Sequence, residues 1–160
     1  MVNSQIWMAL SDWELNAEID GQQADKIQSA FEFAGQKSLI YKGELPHENL
    51  KCAIRVVAKN PLDLNAHVKR FYLSILCRSA DATLGALIDL MIILRFRGDA
   101  LLLRLISEAE VLIGQSLANQ LKDIVVTQAV SRLPTLQTSH SVLINGTSMP
   151  AFFKKRVLNP

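Results

Sequence analysis

Cysteine and the aromatic residues are scarce in this chain: of 160 residues, two are Cys, two Trp, two Tyr and six Phe. Two thiols, Cys52 and Cys77, lie inside apolar helical patterns, where a reduced cysteine behaves as a small hydrophobe, so a disulfide-free, cytoplasmic protein is expected. Charge of one sign is also missing, since the formal net charge is only +2. No whole-molecule field therefore drives the chain onto polyanions, and nucleic acid is not an expected partner. Residues 1–12 lack the basic start and long apolar centre of a secretory signal, so export by that route is not expected. The longest apolar stretch, Ala82 to Leu94, is broken by Asp89 and followed at once by Arg95, Arg97 and Asp99. It falls short of the roughly 20 residues that cross a bilayer.

Catalytic signatures are lacking too. The patterns G-x-S-x-G, H-E-x-x-H, G-x-x-x-x-G-K, G-x-G-x-x-G and C-x-x-C do not occur, which lowers the prior for common hydrolases, zincins, nucleotide enzymes and redox proteins. His47, Glu48, Cys52, His67 and Cys77 carry metal-binding atoms. Helical ligands must recur at three or four residues to share a face, however, and His47 to Cys52 is five and His67 to Cys77 is ten. Buried thiols and surface histidines are the better reading, and no metal or cofactor is expected.

What the chain does have is hydrophobic residues at helical spacing, in a composition that is 49% hydrophobic and 20% charged. That balance, at this length, fits one folded domain with a single core. From Asn60 to Val130 the pattern reads as four consecutive apolar helices. Their breaks, at Arg78–Asp81, Gly98–Asp99 and Gly114–Ser116, are so short that neighbours must run antiparallel. Asn60-Pro61 suits a helix start, with Asn as cap and Pro in the first turn. Leu64, Val68, Phe71, Tyr72, Ile75 and Leu76 then make an amphipathic helix. The next, from about Ala82 to Phe96, is apolar nearly all round and should be the centre of the core. Gly98 suits a left-handed stop with Asp99 capping the helix that follows, Gly114 suits another stop, and a last helix runs from about Ser116 until Pro134 closes the helical region.

Before Asn60, Ser11-Asp12-Trp13-Glu14 has capping-box form, Gly21 interrupts the first helix, and Ala24, Ile27, Ala30, Phe31 and Ala34 recur at helical spacing. Ser38 to Lys42 is an isolated β-tolerant stretch, and Pro46 opens a further helix. The fold class is thus all-α, with about six or seven helices in residues 1–134. They form either an antiparallel bundle or a short solenoid-like stack of helical hairpins. Residues 135–160 are a less regular tail, packed on the domain or used for partner contact, with Asn145-Gly146 as a possible small hairpin.

Functional candidates follow from chemistry out of place. Asp89, a carboxylate in the most apolar helix, must be paired, hydrogen-bonded or neutral. Its candidate partners are Arg95, Arg97, Arg104 and the Tyr72 hydroxyl, either as a register-fixing buried pair or as part of a ligand pocket between helices. Lys69, Arg70, Arg78, Arg95, Arg97 and Arg104 do not align in one stripe and are interspersed with acids, which suits solvated faces. Trp7, Trp13, Phe152 and Phe153, with Lys154, Lys155 and Arg156 beside the last two, are candidate partner contacts, because aromatic anchors dominate interfaces. The expected function is a non-catalytic protein–protein interaction module, a scaffold, adaptor or accessory subunit, with a protein partner or self-association. The alternatives are a small-ligand or enzymatic domain with its pocket near Asp89, and a nucleic-acid-binding accessory protein.

Overall fold

The computed structural model describes residues 21–95, 97–136 and 138–143. The Ser11 capping box, Trp7, Trp13, the Asn145-Gly146 turn and the Phe152 to Arg156 cluster lie outside the described residues. Six α-helices follow in order: α1 (Gly21–Gly35), α2 (Pro46–Lys59), α3 (Leu64–Leu76), α4 (Ala80–Leu94), α5 (Asp99–Ile113) and α6 (Gln115–Thr127), then a short 3-10 helix (Val130–Thr135). No strand occurs among the described residues, Ser38 to Lys42 included. Each helix packs mainly on its neighbours in sequence, so the chain climbs as antiparallel hairpins. This is the stack form of the expected all-α architecture. Among the described residues no helix is long and apolar enough to cross a membrane.

Local chemistry sets the helix ends. Pro46 occupies the first turn of α2 as expected, where its missing N–H removes nothing from the helical ladder. The Asn60-Pro61 start is corrected: α3 begins three residues later, with the Asp63 carboxylate accepting from the Ala66 N–H at 3.1 Å. A turn closed by Asp63 N–H to the Asn60 carbonyl fills the gap. α4 is capped by Ser79, whose hydroxyl oxygen accepts from the Ala82 N–H at 3.3 Å. Its stop is Arg95, in left-handed geometry at φ 47°, and not Gly98, which precedes α5 at φ 108°. Asp99 is the first residue of α5, without a side-chain cap bond. Gly114, at φ 90°, both ends α5 and precedes α6.

The core falls into two apolar clusters that share α3 and α4. One joins Val68 and Phe71 to Leu87, Leu90, Leu105, Leu121 and Ile124, among others from α4, α5 and α6. The other joins Phe33, Tyr41, Leu50, Ala53 and Val57 to Ala66, Leu73, Ala82 and the distant Val142. α4 is the centre, as its composition implied, with 10 of its 15 residues buried.

The apolar spacing on α1 does not mark its buried face. On α1 the residues that turn inward are Ser29 and Phe33. The apolar row Ala24, Ile27, Ala30, Phe31 and Ala34 is exposed. Lys69 on α3 fixes this orientation, since its ammonium lies 5.2 Å from the Phe33 ring centre and donates to the Gln36 carbonyl at 2.5 Å.

Candidate functional site

Helix α3 carries a polar stripe between its two apolar faces. His67, Arg70 and Ser74 recur at three and four residues, so the helical period places them together, and all three are buried. Arg70 is 1% exposed and Asp89, across from it on α4, is fully buried. The Arg70 Nη1 donates to Asp89 Oδ2 at 2.5 Å. Asp89 is therefore paired, but with Arg70, which sequence reasoning had set among solvated cations. None of the expected partners reaches it. Arg95 and Arg97 are exposed beyond the end of α4. Arg104 pairs instead with Glu108 along α5 at 3.1 Å. Tyr72 turns away onto the Phe71 ring, edge to face at 5.3 Å between centres, and burial raises its hydroxyl pKa.

The buried pair also holds a distant piece of chain. Residues 138–143, which are not helical, cross α3 and α4. Arg70 Nη2 donates to the His140 carbonyl at 2.6 Å. The Ser141 hydroxyl donates to Asp89 Oδ1 at 2.5 Å, the Val142 N–H to Oδ2 at 2.8 Å and the Leu143 N–H to Oδ1 at 3.2 Å. Four protein donors thus converge on one carboxylate. That satisfies the charge in a buried site, and charge-assisted hydrogen bonds are roughly twice as strong as neutral ones.

Gly85, one helical turn before Asp89, makes the close approach possible. A Cβ there would lie 2.6 Å from the His140 carbonyl carbon and 2.8 Å from the Ser141 nitrogen. Glycine inside so apolar a helix was the available signal for a crossing backbone, and the three-four recurrence of His67, Arg70 and Ser74 was the signal for a polar seam.

His67 stands at the margin of the seam. It is fully buried, against the expectation of surface histidines, and its Nε2 lies 2.8 Å from the Pro61 carbonyl. With the proton assigned to Nε2 by that contact, Nδ1 is an acceptor. Nδ1 and the Arg70 Nε are buried without a hydrogen-bond partner among the described residues. Burial depresses the His67 pKa, outweighing the opposing influence of the Pro61 carbonyl and of Asp89. Because folding lowers the affinity of this base for its proton, the unfolded chain protonates first. Stability is then complete above the ordinary value of 6.5 and falls as pH drops below it toward the depressed value. Urea midpoints measured across this window should fall with pH in the parent chain. His67→Gln, which keeps a donor for Pro61 but cannot titrate, should flatten that part of the slope; an unchanged slope would remove His67 as its source.

A second polar cluster ties α1 to α2. The Tyr41 hydroxyl donates to Glu32 Oε2 at 2.6 Å and accepts from the Leu45 N–H at 3.0 Å, while Asn49 Nδ2 reaches both Glu32 and Tyr41. Burial, with the Glu32 carboxylate beside it, pushes the Tyr41 pKa up to about 12. This network closes the loop between the helices, and the hollow beside it, lined by Gly35, Lys37, Lys42 and Gly43, is wide open to solvent. Cys52 and Cys77 are free and half-buried, with thiol pKa values raised by burial. No group of three or more His, Cys, Asp or Glu side chains is arranged to hold a metal ion among the described residues.

The class defined by these features is an α-helical hairpin stack with a buried Arg–Asp seam. Comparison with known proteins finds no matching family model, curated protein or solved structure.

Proposed function

We infer that this chain is a non-catalytic interaction module, a scaffold, adaptor or accessory subunit, that docks protein through the outer face of α1. The observation that carries this reading is the exposure of Phe31, 76%, and Ile27, 44%, on one face of a helix whose other face is packed. Leu39 and Ile40, in the loop that follows the helix, are also exposed. Single exposed apolar residues are ordinary, whereas an apolar stripe on an ordered helix suits a partner. The competing pocket near Asp89 is weakened, because the carboxylate oxygens are already taken by four protein donors.

A second copy is the occupant that the stripe suits. Ala24, Ile27, Phe31 and Ala34 follow a three-four-three spacing that is symmetric about position 29. In an antiparallel pairing of two α1 helices, Ile27 of each meets Phe31 of the other and Ala24 meets Ala34, the self-complementarity that a two-fold contact requires. Sedimentation equilibrium over a wide concentration range tests it. The parent chain should show a reversible dimer and Phe31→Glu a monomer. Because residue 31 is exposed, the substitution should change unfolding free energy by less than about 0.5 kcal/mol. A parent chain that stays monomeric at every concentration would remove the second copy as partner.

A further inference from the structure

We propose that the cleft across α3 and α4 is a peptide-binding site for a carbonyl–Ser–Val–Leu segment, filled here by the chain's own residues 140–143 and able to take the same segment from a second copy. The cleft is built as a receptor for backbone. Of the four hydrogen bonds that Arg70 and Asp89 make to the segment, three engage main-chain atoms: the His140 carbonyl on Arg70, and the Val142 and Leu143 N–H groups on Asp89. The fourth reads a hydroxyl, Ser141 on Asp89. Val142, 2% exposed, adds an apolar anchor in the cluster that contains Ala66, Leu73 and Ala82. The bare α4 surface at Gly85 lets the peptide plane of residues 140–141 lie flat on the helix.

The topology makes this segment exchangeable. Helices pack mainly on their sequence neighbours, so the stack is held by contacts local in the chain. The bonds from residues 140–143 to Arg70 and Asp89 span 52 to 70 positions, whereas no other side-chain hydrogen bond among the described residues spans more than 33. Releasing the segment uncovers the Arg70–Asp89 seam and vacates the place of Val142 in its cluster, while the helices keep the neighbour-to-neighbour contacts that are local in the chain. A segment from a second copy remakes the same bonds, so the balance between own and exchanged segments is set by connection geometry and concentration, as in other swapped dimers. This contact is separate from the α1 face.

Complementation between two full-length variants tests it, both carried on Phe31→Glu so that α1 cannot contribute. Val142→Asp spoils the segment and leaves the cleft open. Gly85→Leu blocks the cleft and leaves the segment intact. Each variant alone should be folded by circular dichroism and monomeric by native mass spectrometry. Their mixture should give a one-to-one complex, weakened about tenfold when the Gly85→Leu chain also carries Ser141→Ala, since a hydrogen bond to a charged group is then lost. Two folded variants that do not associate on mixing would overturn the proposal. So would loss of the folded state in Val142→Asp, which would make the segment part of the fold and not a ligand of it.

Discussion

Asp89→Ala is expected to lower the free energy of unfolding by about 3–5 kcal/mol, the range for removing one partner of a buried ion pair. Against a total of roughly 5–15 kcal/mol for a natural domain, that is a large fraction. The loss is severe because of what stays behind. Arg70, 1% exposed, would keep its charge with only the His140 carbonyl to accept from it, and the Ser141, Val142 and Leu143 donors would lose the acceptor they share. Asp89→Asn should recover little, since its amide group would turn donors toward donors. Arg70→Ala should be milder, because Asp89 retains three of its four donors. Urea unfolding decides the ranking, read as midpoint shifts at unchanged slope. A change within about 0.5 kcal/mol for Asp89→Ala, the size of an ordinary surface substitution, would show that the carboxylate is not buried among these donors.

The second large effect changes sign with context. Gly85→Ala should destabilise the parent chain by about 1–3 kcal/mol, the usual penalty for forcing extra volume into a packed site. The new methyl would meet backbone at 2.6 Å, which a side-chain rotation cannot relieve. In a chain where Val142→Asp has already displaced the segment, the same substitution should stabilise by up to about 1 kcal/mol. Alanine is the better helix former, and nothing then opposes it. Thermal or urea denaturation of the four chains of this cycle measures the coupling directly. Equal effects of Gly85→Ala in both backgrounds would mean that the segment does not lie on Gly85.

Much of this fold was legible because it rests on local rules. The all-round apolarity of α4 could only mean a central helix, and the few residues between α4, α5 and α6 left only antiparallel neighbours. Helix ends were harder. Arg95 adopts the left-handed stop that glycine chemistry assigned to Gly98, and Asp63 takes the capping role that Asn60-Pro61 suggested. Asn60 and Asp63 are near-equal as caps, so propensity alone does not rank them, whereas at the end of α4 propensity favours Gly98 and the structure places the left-handed stop at Arg95 all the same. The α1 row of Ala24, Ile27, Phe31 and Ala34 was correctly seen as a face. Periodicity reports that a face is apolar, but not whether a neighbour lies against it.

The residues alone were enough to set the class of object, helices in antiparallel succession around α4, and the need of Asp89 for a partner. Both follow from short-range physics: side-chain period, cap and stop chemistry, and the cost of a charge in an apolar place. That the partner is Arg70, that Gly85 is bare to admit a crossing backbone, and that residues 140–143 supply the remaining donors emerges only in the packed fold. Those choices join positions 52 to 70 residues apart. At such separations no periodicity connects the residues, and several arginines could have answered the same carboxylate. Packing selects among them, since only on the inner side of α3 does a guanidinium meet Asp89 and the His140 carbonyl together.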